Sequence, residues 1–226
     1  MGARTLSRRS ASTAHPARKL LLTGAAGCFA STPDHASLDI TGDLDIRVDL
    51  AMTDWTPTAA QTLIGKYLTT GNQRSYRLRV NTTGTLDLIW TTTGVTAIVV
   101  ASTVPIPATD GARLGVRATI DVDDGAGNHV VTFYTSPDFV AWTQLGDPVS
   151  TVGTTSIHSG SSPMEIGLNS GASERLVGRV WRAEVRNGIA GTVVASPDFQ
   201  PASAGSASVT DAQGRVFTLQ GTAVIA

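Results

Sequence analysis

The sequence has 226 residues, enough for one large β domain or two small ones. Apolar residues make up 41% of the chain and charged residues 15%, which supports a buried core and argues against a disordered chain. The formal net charge is −1, so no overall positive field attracts the chain to nucleic acid, and we expect neither a nucleic-acid nor a membrane partner.

The first segment in chain order is basic, and no acidic residue occurs in its first nineteen positions. Its positive charges are Arg4, Arg8, Arg9, Arg18 and Lys19. The twin arginines of "LSRRSAS" and the small residues before Cys28 imitate a secretion or lipoprotein signal, but the apolar run covers only residues 20–22. We interpret residues 1–17 as a basic N-terminal arm that binds an acidic surface of a partner subunit, the alternative being a solvated tail.

Residues 18–226 repeat a pattern of strands in which apolar and polar residues alternate. In "LDIRVDLAM", residues 44–52, every second side chain from Leu44 is apolar, and Asp45, Arg47 and Asp49 lie between them. Comparable strands are predicted at residues 18–22, 74–81, 85–91, 113–122, 129–135, 164–170, 176–188, 191–199 and 215–226. The pattern predicts an all-β antiparallel sandwich or barrel with little or no helix, in one domain over residues 18–226.

The tryptophans offer one candidate for sugar binding. Trp90, Trp142 and Trp181 fall on predicted strands, so we expect them to fill the core. Trp55 lies in the loop "TDWTPTAA", where it is either an exposed platform for a carbohydrate or a hydrophobic plug beneath the loop. The single cysteine, Cys28, excludes an internal disulfide and a cysteine-based metal site.

The stretch "SPDFVAW", residues 136–142, has two interpretations. It resembles the Asp box of sialidases, but its tryptophan comes one residue early and the glycine of the box is absent. The second "SPDF", residues 196–199, has no tryptophan after it. We therefore favour a hairpin turn in which Ser136 and Asp138 accept backbone hydrogen bonds and Phe139 packs on Trp142.

Several longer segments resemble one family of domains. They are "FASTPDHASLDITGDLDIRVDLAMTDWTP", "YRLRVNTTGTLDLIWTTTG", "VTFYTSPDFVAWTQLG", "GRVWRAEVRNGIAGTVVASPDF" and "DAQGRVFTLQGTA". These segments are similar to the laminin-G-like, concanavalin-A-like jelly rolls found in virion proteins of phages that infect actinobacteria. The resemblance covers residues 19–226 and implies a jelly-roll sandwich and a virion protein of the capsid surface or the tail.

Catalytic and metal-binding patterns are weak by comparison. Glucanases of this sandwich type carry a Glu-x-Asp-x-x-Glu strand, which the chain lacks, and its histidines do not have metal-ligand spacing. We therefore expect no enzyme activity and no firm cofactor. One turn, residues 121–128, crowds Asp121, Asp123, Asp124 and Asn128 together, which suits calcium, as in related laminin-G-like domains, or a turn held by its own side chains.

These observations predict a non-enzymatic structural protein on the virion surface, a capsid decoration protein anchored by its N-terminal arm. Its expected partners are other virion proteins, namely major capsid or tail subunits, with a homo-oligomer and a glycan of the host surface as further candidates. A minor tail protein and a free carbohydrate-binding module are the alternative functions.

Overall fold

The computed structural model describes residues 17–169 and 174–226, which form two packed antiparallel sheets. The first strands are β1 (Leu20–Thr23), β2 (Phe29–Thr32), β3 (Leu44–Met52), β4 (Gln61–Leu68), β5 (Gln73–Val80), β6 (Leu86–Thr91), β7 (Ala97–Ala101) and β8 (Arg113–Asp121). The remaining strands are β9 (Asn128–Ser136), β10 (Thr143–Gln144), β11 (Val149–Val152), β12 (Met164–Ile166), β13 (Val177–Asn187), β14 (Thr192–Ala195), β15 (Ser208–Thr210), β16 (Val216–Gln220) and β17 (Val224–Ile225).

Nine strands form one sheet and eight form the other. The nine-stranded sheet runs β10-β9-β8-β3-β13-β1-β17, with β11 also paired to β9 and β14 to β13. The eight-stranded sheet runs β15-β16-β2-β12-β4-β5-β6-β7. Strands that are distant in the chain are neighbours in both sheets, as in a jelly roll, and the predicted all-β sandwich is confirmed.

Helix in the described residues is limited to two three-residue 3-10 turns, at Ala36–Leu38 and Thr70–Asn72. None of the helical segments in these residues is long and apolar enough to cross a membrane. The prediction of little or no helix is therefore confirmed for this part of the chain.

The core lies between the sheets and is built by the predicted alternation. From Leu44 to Leu50, every second side chain of β3 is fully buried and joins the same hydrophobic cluster as the inward side chains of β5 and β6. Trp90 of β6 is fully buried in this cluster, as the sequence predicts. Its Nε1 donates a hydrogen bond to Thr155 Oγ1 at 3.1 Å, so the polar edge of the ring is also satisfied.

Two other tryptophans do not fill the core. Trp181 is only 9% exposed but lies outside the core cluster, because the register of β13 with β3 shifts between Val180 and Arg182 and leaves Trp181 at a bulge. Trp142 is half-buried after the β9 turn, where it contacts two arginines. The prediction of a core position is wrong for Trp142. Trp181 is buried as predicted, although it lies outside the core cluster and stacks against the Arg113 guanidinium.

Candidate functional site

The outer face of the nine-stranded sheet carries a lattice of charged side chains from β3, β8 and β13. We call it the charged lattice, and its members are Asp45, Arg47, Asp49, Arg113, Arg117, Arg182, Glu184 and Arg186. The alternation of these strands places their polar residues on this face. The acids at its centre are nevertheless buried, since the side chain of Asp45 is 0% exposed.

Asp45 is held by two guanidinium groups. It accepts hydrogen bonds from Arg47 Nε and Nη2 at 3.0 and 2.7 Å, and from Arg117 Nε and Nη2 at 2.9 and 2.9 Å. The backbone N–H of Ala190 donates a further bond at 3.1 Å. Burial alone would raise the pKa of Asp45, but the hydrogen bonds and charges of both arginines outweigh burial and lower it. The carboxylate is therefore a fixed anion at the centre of the lattice.

Asp49 of β3 and Glu184 of β13 hold the remaining arginines of the charged lattice. Asp49 accepts hydrogen bonds from Arg113 Nε and Nη2 at 2.8 and 2.7 Å, and from Arg182 Nε at 3.1 Å. Glu184 Oε1 accepts from Arg186 Nε at 2.6 Å and lies 3.2 Å from Arg47 Nη1. Each arginine is thus oriented by an acid on its own strand or on the adjacent one.

Aromatic rings cover parts of this lattice. The Arg113 guanidinium carbon lies 4.3 Å from the ring centroid of Trp181, and that of Arg182 lies 4.3 Å from Phe139. Trp142 lies 5.7 Å from the guanidinium of Arg47. These distances are typical of cation–π contacts, which fix the arginine planes and shield them from water.

The turn that carries Phe139 has the predicted construction. Asp138 Oδ1 accepts hydrogen bonds from the Ser136 hydroxyl at 3.0 Å and from the Val140 N–H at 2.8 Å. The rings of Phe139 and Trp142 meet edge to face with centroids 5.3 Å apart. This confirms the turn prediction, and it also places Val140, which is 78% exposed, at the outer surface.

A groove of about 560 Å³ opens between this turn and the segment after β14. Apolar surface comes from Phe139, Val140 and Pro201, and charged groups come from Arg182 and Asp198. Arg47, Glu184, Arg186 and Asp211 also line it. A second cavity of about 240 Å³ shares Asp198 and Pro201 with it. The groove thus combines an exposed apolar wall with oriented hydrogen-bonding groups.

Solved structures share this two-sheet arrangement. A heptameric SAP-like pentraxin from Limulus polyphemus matches with a TM-score of 0.51 and 14% identity, over 76% of this chain and 76% of its own. The CBM40 domain of the Ruminococcus gnavus IT-sialidase matches with a TM-score of 0.51 and 15% identity, over 74% of this chain and 89% of its own. Domains LG4-5 of the mouse laminin α1 chain match with a TM-score of 0.51 and 13% identity, over 92% of this chain and 55% of theirs.

The fold is laminin-G-like and concanavalin-A-like. At these identities the matches establish the fold alone. The match covers about half the length of the laminin LG4-5 structure. No protein-family model matches the sequence, and no curated protein matches it either.

Within this laminin-G-like fold, Trp55 is not an exposed platform. Its side chain is 2% exposed and belongs to the core cluster. Its Nε1 donates to the Ala112 carbonyl oxygen at 3.4 Å, and its backbone N–H donates to Asp110 Oδ1 at 2.9 Å. The ring is therefore closed to a ligand, and Trp55 is the hydrophobic plug that was the alternative.

The acidic turn at residues 121–128 is held by its own hydrogen bonds. Asp124 Oδ1 accepts from the N–H groups of Ala126 and Asn128 at 2.8 and 3.0 Å, and Asn128 Nδ2 donates to Asp124 Oδ2 at 2.9 Å. Asp121 and Asp123 accept comparable bonds from the backbone two residues further on. Over residues 17–169 and 174–226, no three His, Cys, Asp or Glu side chains cluster as metal ligands. The observed contacts correspond to the turn held by its own side chains, and calcium binding at Asp121, Asp123, Asp124 and Asn128 stays a prediction.

The predicted arm lies almost entirely outside the described residues. Arg4, Arg8 and Arg9 are not among them, so their role in binding a partner stays a prediction. Arg18 and Lys19 are half-buried beside β1, and the backbone of Lys19 pairs with that of Ala226 in both directions, at 3.2 and 3.1 Å. These last two basic residues therefore contact the sandwich.

Sequence reasoning missed the groove because its residues come from separated segments. The signal was present in part: β3, β8 and β13 all alternate charged residues with apolar ones. Their pairing, β8-β3-β13, is what turns three charged strand faces into one lattice. The approach of Asp198 to Arg182, through an isolated bridge between their backbones, has no sequence signal that we can identify.

Proposed function

We propose that this domain is a non-catalytic saccharide-binding module and that the groove is its binding site. The observation that carries the proposal is the pairing of apolar surface at the half-buried Phe139 and the exposed Val140 with fixed charged groups at Arg182 and Glu184. A sugar presents C–H faces that pack on apolar surface and hydroxyls that exchange hydrogen bonds with guanidinium and carboxylate groups. Groups already fixed by neighbours lose little entropy on binding.

The fold match to CBM40 supports this proposal, because that domain was solved with α2,3-sialyllactose bound. The absence of catalysis is supported by the sequence, because the chain lacks the Glu-x-Asp-x-x-Glu strand that glucanases of this sandwich type carry.

The test is calorimetric titration of the full chain with lactose and with 3′-sialyllactose. Phe139→Ala and Arg182→Ala should each weaken binding of the preferred sugar by at least about tenfold, because each removes one type of contact from the groove. Val152→Ala is the control, since Val152 is 90% exposed on β11 and does not line the groove. Binding that survives both groove variants, or no binding of either sugar, would contradict the proposal, and release of free sugar would contradict the absence of catalysis.

We further propose that the domain acts on a virion surface, as a capsid decoration protein or, as the second candidate, a minor tail protein. The support is the resemblance of the five quoted segments to phage virion domains, together with the basic residues of the arm. The proposed partners are capsid or tail subunits with an acidic surface.

Deletion of residues 1–17 tests this virion role. The remaining chain begins just before β1, so it should fold and stay soluble. We expect it to be absent from purified particles, whereas the full chain co-purifies with heads for a decoration protein or with tails for a tail protein. Incorporation of the truncated chain at normal occupancy would show that the sandwich surface makes the attachment.

A further inference from the structure

β7 (Ala97–Ala101) is an unprotected edge of the eight-stranded sheet. It ends the strand order, pairs with β6 on one side, and is longer than β10, β17 and β15, which end the two sheets elsewhere. No charged residue occurs from position 88 to position 109, and no proline occurs within β7. Proteins usually protect such an edge with charges, proline, bulges or short length, and β7 has none of these.

The register with β6 determines which backbone groups of β7 face outward. The Ser102 N–H donates to the Leu86 carbonyl oxygen at 2.8 Å, so these two residues form a hydrogen-bonded pair. Hydrogen-bonded and non-bonded pairs alternate along an antiparallel ladder, and β6–β7 runs without a shift. Ile98 and Val100 therefore bond to β6, and the N–H and C=O groups of the intervening residues point away from the sheet.

Those intervening residues are Ala97, Val99 and Ala101. Within the part of the chain that the structure describes, the backbone N–H and C=O groups of these three residues form no hydrogen bond on the side that faces away from β6. Their side chains are exposed on the outer face, with Val99 50% exposed, while Ile98 and Val100 pack against the core. The edge thus presents three ready donors, three ready acceptors and small apolar side chains.

We propose that β7 pairs antiparallel with β7 of a second copy of this chain, with Val99 on the two-fold axis. In that register Val99 faces its own copy and Ala97 faces Ala101, so all three outward residues pair and six backbone hydrogen bonds form. The alanines opposite each other do not collide, and no like charges meet because the segment has none. The two eight-stranded sheets become one continuous sheet across the dimer.

Sedimentation velocity on the full chain tests the proposal, over about 1–200 µM, the range in which a small interface associates. We expect a concentration-dependent dimer. Val99→Lys should weaken association at least about tenfold, since it places two like charges opposite each other at the axis. Val152→Lys is the matched control, because Val152 is 90% exposed on the other sheet, and it should keep the wild-type dissociation constant.

A mixture of two variants tests the register itself. Val99→Glu should weaken association to a similar extent, and mixing it with Val99→Lys should restore the dimer, because opposite charges then meet at the axis. Circular dichroism and thermal melting of both variants should match the wild type, since the Val99 side chain is 50% exposed and lies outside the core cluster. A monomeric wild type, a Val99→Lys chain that still dimerises normally, or a mixture that stays monomeric would each overturn the proposal.

Discussion

Arg47 and Arg117 lie directly opposite each other on β3 and β8, and a single buried carboxylate, that of Asp45, accepts hydrogen bonds from both. Like charges in that position normally destabilise a strand pair. Here Asp45 lies between the two guanidinium groups and converts the repulsive pair into an attractive triad. The pairing of Arg47 with Arg117 therefore depends on the charge of Asp45.

The first prediction concerns that charge. Asp45→Asn keeps the size of the side chain but leaves two arginines without their anion, and it should lower the free energy of unfolding by about 3–5 kcal/mol. Urea denaturation measures the change. Asp147→Asn, at an exposed position, is the control and should be nearly neutral. Equal stability of the two variants would show that the triad does not stabilise the sheet.

The second prediction concerns acid. Because the pKa of Asp45 is lower in the folded chain than the unfolded value of about 3.9, its stabilisation is complete above about pH 4. The stabilisation is lost as the pH falls from there through the folded pKa. Unfolding measured between about pH 6 and pH 2.5 should therefore show a shallower acid loss for Asp45→Asn than for the wild type. A residual loss should remain, because the pKa values of Asp124 and Asp138 are also lowered.

The third prediction compares two tryptophans. Trp90→Ala should cost about 3–5 kcal/mol of unfolding free energy, since the ring is fully buried in the core and its removal leaves a cavity. Trp181→Ala should cost less, because the ring lies outside the core cluster and the Arg113 side chain that stacks on it can move into the space. Guanidinium denaturation measures the free energy of unfolding of the two variants and shows which loses more. The reverse order would mean that the outer face stabilises the sandwich more than the core at these sites.

The fourth prediction compares two glycines with positive φ. Gly94 has φ +81° and a Cβ added there would collide with the Asn72 carbonyl oxygen, whereas Gly125 has φ +75° and open space around it. Gly125→Ala should cost about 1–2 kcal/mol through backbone conformation alone. Gly94→Ala should cost about 1–3 kcal/mol more, because the neighbouring loop must move. Thermal melting of both variants measures the difference. Equal costs would show that the contact with the Asn72 carbonyl oxygen does not destabilise Gly94→Ala.

Most of the fold was predictable because alternation is a local property. β3 occupies the predicted residues 44–52, and its inward side chains are the buried ones. β4 was missed, although it lies in the middle of the eight-stranded sheet. Its sequence "QTLIGKYL" breaks the alternation, since the register shifts twice and Lys66 points inward with a 0% exposed side chain. Lys66 is tolerated there because its Nζ lies 2.9 Å from carboxylate oxygens of both Asp34 and Asp39, which come from a distant loop.

The two "SPDF" tetrapeptides separate what the sequence determined from what the tertiary structure decided. In both, the aspartate side chain accepts a hydrogen bond from the backbone N–H two residues further on, from Val140 in the first and from Gln200 in the second. This contact is local, so the sequence alone predicts it. Their phenylalanines have opposite positions: Phe139 lies on the outer face beneath Arg182, and Phe199 is fully buried in the core.

That difference arises from contacts between segments that are far apart in the chain. The second tetrapeptide is bonded to β13, where the Phe199 N–H donates to the Trp181 carbonyl oxygen at 2.9 Å, while the first turns at the edge of the sheet. Alternation and turn chemistry, which act over a few residues, determined the strands, the sandwich class and the local turns. Strand order, the charged lattice and the groove were decided only in the folded chain, because each requires side chains from separate strands to meet.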